Sequence, residues 1–152
     1  MWRTFCVNYE ARTSSENDIE EAKRRKKNHV LKFSRKMTCF SGLLFLLAKF
    51  RLQKTVTKED GLQMIGLTPV ARLDWIAQEL RLDEATRSLS EMKHLYTQFQ
   101  QSRSQDGGLE TLLSTPSGRV QARTKAGEFG KAVHDALNSV GGGTLFHRMM
   151  TV

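Results

Sequence analysis

Residues 23–47 read KRRKKNHVLKFSRKMTCFSGLLFLL, and the two halves of that stretch follow different rules. In the second half Val30, Phe33, Met37, Phe40, Leu44 and Leu47 are separated by alternating steps of three and four residues. That is the spacing of a coiled-coil seam, which keeps apolar side chains on one face of an α-helix. Leu43, Phe45 and Leu46 widen the stripe beyond what one partner helix covers, so the helix is expected at the centre of a bundle. Phe33, Met37, Phe40, Leu44 and Leu47 are expected to be mostly buried, as a core or partner seam. Cys39, in the same seam, is expected to behave as a small buried hydrophobe. In the first half, Lys23, Arg24, Arg25, Lys26, Lys27, Lys32, Arg35 and Lys36 follow one another without a single acid. One helix therefore combines a core-forming half with a cationic half.

Working outward, this helix is predicted from about Glu16 to about Phe50. Ser14 or Ser15 can cap it, and Glu16, Asp18, Glu20 and Glu21 suit the positive end of its dipole. The apolar run from Met37 to Ala48 is shorter than the roughly 20 residues that cross a bilayer. It is bracketed by Lys36 and Lys49 and interrupted by Ser41 and Gly42, which favours a buried core helix. Thr57 to Asp60 carries an N-cap signature for a short helix that stops at Gly66. Thr68 followed by Pro69 starts another, with Val70, Leu73, Ile76, Ala77 and Leu80 on one face. Ala85, Leu89, Met92, Tyr96 and Phe99 follow a different register, so two helices are expected to meet near Leu82.

Residues 102–118 change to Ser, Gly, Asp, Thr and Pro and read as a linker or loop, with Leu109, Leu112 and Leu113 as a small apolar anchor. Residues 119–143 hold a last helix, its periodic part running from about Lys125 to Val140 and ending at Gly141-Gly142-Gly143. Residues 1–14, with Trp2, Phe5, Val7 and Tyr9, read as a flexible, irregular N-terminal arm. Residues 144–152 read as a tail behind the glycines, with Leu145, Phe146, Met149 and Met150 able to dock on a neighbour. The fold class expected is all-α: an irregular bundle of about five helices, its core within residues 15–101.

The chain has 152 residues and a net charge of +8, and that excess is not spread evenly. Residues 1–54 carry 13 basic and 5 acidic side chains, residues 55–101 carry 5 and 7, and residues 102–152 carry 6 and 4. Charge concentrated in one segment points to one anionic contact surface rather than to general solubility. Cys6 and Cys39 cannot make a disulfide framework, and the first residues do not resemble a secretory signal, so an intracellular protein is expected. Lys23 to Lys27 has the composition of a nuclear import signal or a nucleic-acid contact, which makes the nucleus the expected compartment. On a helix these five residues point all round the axis, so they cannot all face one groove.

A basic stretch running into a heptad resembles the basic-zipper transcription factors in outline. That family reads bases with a fixed Asn, paired small residues and a later Arg, and Lys23 to Lys36 contains no such arrangement. Trp75 to Leu95 resembles a helix-turn-helix at Ile76, Ala77, Leu80, Leu82 and Thr86, but Arg81 falls where that motif places a small turn residue. Generic helix packing explains this stretch better.

Catalysis finds little support. His29, His94, His134 and His147 are scattered, and none sits with Cys or carboxylates at metal-ligand spacing. Gly141 to Gly143 lacks the Lys and Ser/Thr of a phosphate loop and follows a helix instead of opening one. Neither a cofactor nor a metal is expected. The function expected is a non-enzymatic assembly or adaptor subunit. It would hold a protein partner, or a second copy, through helical faces, and would contact nucleic acid non-specifically through Lys23–Lys27, Lys32, Arg35 and Lys36. The alternative is a peripheral membrane or matrix-type protein that lays the same basic segment on anionic lipid.

Overall fold

The periodic stretch folds as α1, Asp18–Gln53, in a computed structural model that describes residues 18–104 and 108–142. The arm expected over 1–14 and the tail over 144–152 lie outside the described residues. Five further helices follow: α2 Lys58–Gly66, α3 Pro69–Leu80, α4 Asp83–Ser104, α5 Gly108–Ser114 and α6 Pro116–Gly141. No strand occurs among the described residues, and the fold is an all-α bundle.

Local chemistry explains the breaks between helices. Thr57 and Asp60 form a reciprocal capping box at the start of α2. Thr68 caps α3 by accepting from the Ala71 N–H, and Pro69 occupies its first turn, where no N–H is needed. The register slip near Leu82 is a true helix break. Arg81 closes α3 in the left-handed conformation, at φ 49°, and α4 restarts at Asp83.

The buried face of α1 organises everything else. Phe33, Met37, Leu44 and Leu47 are buried as expected, together with Phe45 and Ala48. Phe33 stacks on Phe99 of α4 with ring centroids 4.4 Å apart and on Phe129 of α6 at 5.0 Å. Farther along, the Trp75 ring of α3 meets Phe45 at 4.5 Å. Phe33 beside Phe129 and Arg51 beside Ser139 and Val140 place α1 and α6 side by side, running in the same direction. The seam thus packs into a multi-helix core rather than pairing with one coiled-coil partner.

Several expectations need correcting. Val30 and Phe40 are only partly buried, at the edge of the core. Cys39 is exposed, because two residues beyond Met37 is about 200° around the helix, on the outer side. The stretch 102–118 is not a linker. α4 runs to Ser104, α5 buries Leu109 and Leu113, and α6 begins at Pro116 rather than 119. The core is therefore not confined to 15–101, since Ala126, Phe129, Val133, Ala136 and Val140 of α6 complete it. The Gly and Pro that read as turn material have packing roles. Pro116 starts α6 behind the Thr115 cap, and a Cβ on buried Gly118 would lie 1.8 Å from the Leu112 carbonyl oxygen.

Four substitutions test this packing in equilibrium urea unfolding. Gly118→Ala forces α5 and α6 apart and is expected to cost about 1–3 kcal/mol. Phe129→Ala is expected to cost about 3–5 kcal/mol, and Phe40→Ala, at a partly buried position, clearly less. Arg81→Gly relieves the left-handed strain and is expected to stabilise by about 1 kcal/mol.

Candidate functional site

Burial of one face of α1 dictates where its cations point. Lys32, Arg35 and Lys36 are spaced i, i+3, i+4 and so share a face away from the core. Lys32 and Arg35 are exposed, and Lys36 is half-buried with its ammonium reaching toward α6, 3.0 Å from where a Cβ on Gly130 would stand. None of the three has an ion-pair partner among the described residues, and neither does exposed Lys27.

The cations nearer the N-terminus are disposed differently. Arg25 pairs with Glu21 one turn earlier, and Arg24 approaches the same carboxylate at 4.0 Å. Lys26 points the other way and reaches Glu110 of α5 at 2.7 Å. The expectation for the Lys23 side chain lies outside the described residues. The described cations Arg24 to Lys27 do radiate around the axis, and the structure splits the basic set. Arg24, Arg25 and Lys26 have carboxylate partners, whereas Lys27, Lys32, Arg35 and Lys36 have none among the described residues. Arg24 and Arg25 lie two to three turns before Lys32–Lys36 on the same side, so that side presents cations over about 18 Å of helix.

Three other cations, which the sequence reading did not single out, are consumed by the fold. Lys49, expected to bracket the apolar run, is buried. Its Nζ lies 3.0 Å from Asp60 Oδ1 and 4.7 Å from the Trp75 ring centroid. Asp60 also accepts from the Thr57 N–H and hydroxyl, each at 2.9 Å. The Thr57 contacts and Lys49 together hold its carboxyl below the ordinary carboxylate range. Arg51 donates to the Ser139 and Val140 carbonyls at 2.8 and 3.0 Å, satisfying the C-terminal end of α6. Arg72 donates to the Met64 carbonyl at 2.8 Å and to the Ser41 hydroxyl at 3.3 Å. Ser41 and Gly42, which seemed to interrupt the seam, are the small residues that let α2 and α3 come this close.

His29 and the Lys93–Asp74 pair border the two hollows of the described bundle. His29 is half-buried beside Phe33 and Phe99, and burial, aided by Lys32, depresses its pKa. It lines a cavity of about 30 Å³ with Gln98, Ser102 and Lys125, room for one or two waters. A larger hollow of about 320 Å³ between α3 and α4 is spanned by the Lys93–Asp74 pair at 2.6 Å. Among the described residues no group of His, Cys, Asp and Glu could hold a metal, and no helix is long and apolar enough to cross a membrane. His147 lies outside the described residues.

Comparison with known proteins adds no relative: no family model, curated protein or solved structure matches the chain.

Two of the shifted groups, His29 and Asp60, set a pH dependence on the acid side. Unfolded His29 takes up its proton at the ordinary value of 6.5 and folded His29 only at lower pH, so stability falls as pH drops below 6.5. His29→Gln should flatten that limb of the urea midpoint against pH. The Asp60 contribution has the same sign at lower pH. It is present above the ordinary carboxylate value and is lost as pH falls through the folded one. Asp60→Asn is therefore expected to destabilise at pH 7, with the gap to the unaltered chain closing toward pH 3.

Proposed function

We propose that this chain is a non-enzymatic helical assembly or adaptor subunit of the nucleus. Its bundle holds a protein partner, and the outer face of α1 contacts the phosphate backbone of nucleic acid. The observation that carries the reading is the contrast between two sets of cations. Lys49, Arg51 and Arg72 are bonded to the fold. On one side of α1, Lys32 and Arg35 are exposed and Lys36 is half-buried, none with a carboxylate partner among the described residues. Such a row can neutralise phosphates and release their counterions without reading bases. The aromatics next in sequence are unavailable for stacking on bases, since Phe33 is buried and Phe40 packs against the core.

The same burial bears on the membrane alternative. Phe33, Leu44, Phe45 and Leu47 line the core, so lipid contact by α1 would be electrostatic and without apolar insertion.

The test is fluorescence anisotropy with a labelled DNA duplex across a salt series, beside flotation with anionic vesicles. Three unpaired cations on one face give an expected slope of log affinity against log salt of about −3 for duplex DNA. The triple variant Lys32→Ser, Arg35→Ser, Lys36→Ser should fold normally and remove most of that slope. Changing the duplex sequence should matter far less than changing the salt. Binding that ignores the triple variant would remove α1 as the contact surface. Vesicle binding without duplex binding would favour the lipid reading.

A further inference from the structure

The furrow between α1 and α6 has cations on both of its walls. Lys36 of α1 reaches across it, its ammonium 3.0 Å from where a Cβ on Gly130 would stand, so Gly130 marks the side of α6 that faces this edge of α1. Arg119 and Arg123 precede Gly130 by eleven and seven residues, which puts both within about 20° of it around the α6 axis. His29 of α1 lines the same small cavity as Ala122 and Lys125 of α6, so Arg123 stands level with the turn of α1 just before Lys32. From Arg119 to the level of Lys36 the furrow measures about 16 Å.

Among the described residues no carboxylate answers these groups. Arg123 is exposed and Arg119 half-buried, and neither side chain has an ion-pair partner there. The α6 acids Glu128 and Asp135 lie about 160° and 140° around the axis from Gly130, and Asp135 is paired with Lys131. The sequence of α1 has no acid after Glu21, and Glu21 is shared by Arg24 and Arg25. Between the two sets of cations the floor is open: Gly127 is exposed, and a Cβ built on it meets no atom within 4 Å. A helix interior favours Ala over Gly, and packing gives no reason for glycine at this position, whereas bare helix backbone admits the close approach of a ligand.

The shape of the strip selects among polyanions. Cations strung along a furrow match a linear polyanion. A flat bilayer surface would meet the exposed Lys32, Arg35 and Arg123 but not the half-buried Lys36 and Arg119. Resting on the reading of α1 as a phosphate-contact helix, we infer that the contact surface is the α1–α6 furrow and not α1 alone. A nucleic-acid strand lies along it, with Arg119 and Arg123 on one wall, Lys32 and Lys36 on the other, and its backbone over Gly127. Arginine suits the α6 wall, since its planar fork takes two phosphate oxygens at once.

Phenylglyoxal modification of arginines, mapped by mass spectrometry with and without duplex DNA at low salt, tests this beside fluorescence anisotropy across a salt series. The duplex is expected to slow modification of Arg119 and Arg123 several-fold and to leave exposed Arg87 of α4 unchanged. Two further cations steepen the slope of log affinity against log salt from the roughly −3 that α1 contributes to about −4.5. The Arg119→Ser, Arg123→Ser variant, its folding checked by its urea midpoint, should return the slope to about −3. Gly127→Glu should weaken duplex binding several-fold more than Gly127→Gln. Arginines that react equally with and without duplex, or a slope that ignores their replacement, would overturn the furrow. If binding is still lost in the Lys32→Ser, Arg35→Ser, Lys36→Ser variant, the α1 reading survives that result. No duplex binding by the unaltered chain overturns both. Protection of the two arginines by anionic vesicles but not by duplex would assign the furrow to lipid and overturn the inference as well.

Discussion

A helix can turn its apolar stripe toward only one side, and in this protein that constraint falls on α1. Phe33, Met37, Leu44, Phe45 and Leu47 must leave water together, and α3, α4 and α6 converge on them to make that happen. Once the stripe is buried, the rotation of α1 about its axis is fixed, and with it the direction of every cation it carries. The surface row Lys32, Arg35 and Lys36 is a consequence of core formation as much as of charge.

Cations nearer the C-terminal half of α1 are treated in the opposite way. Lys49 is buried against Asp60 and the Trp75 ring, a cost in desolvation offset by the carboxylate, the ring face and the capping box around Thr57. Arg51 and Arg72 each satisfy carbonyls at a helix C-terminus, where the dipole favours positive charge. Along α1, the buried and carbonyl-bound cations Lys49 and Arg51 are thus separated from Lys32, Arg35 and Lys36, while Arg72 is supplied by α3. The separation explains how a strongly basic chain can fold tightly and still keep an electropositive face.

Much of the fold was legible in the sequence because the signals were local. The three-and-four spacing from Val30 to Leu47, the Thr57 and Thr68 caps and the register change near Leu82 each depend on a few neighbouring residues. What escaped depends on partners far away in the chain. Gly118 looks like a turn residue until the Leu112 carbonyl is found against it, and α5 is too short to show a period. Cys39 was assigned to the seam by proximity, although its angle on the helix places it outside. The candidate site was half legible. The basic segment stood out, but which cations are neutralised depends on Glu21, which is near, and Glu110, which is not. Lys49 gave no sign of burial, because Asp60 looked like an ordinary capping residue.

α1 divides its lysines between the fold and a cationic surface open to an anionic partner. Lysine acetylation kinetics, followed residue by residue by mass spectrometry with and without duplex DNA at low salt, test it most directly. The account predicts that Lys32 and Lys36 react readily in the free protein and are strongly protected by the duplex, while Lys49 stays slow throughout. Fast reaction at Lys49, or Lys32 and Lys36 reacting equally with and without the duplex, would contradict it.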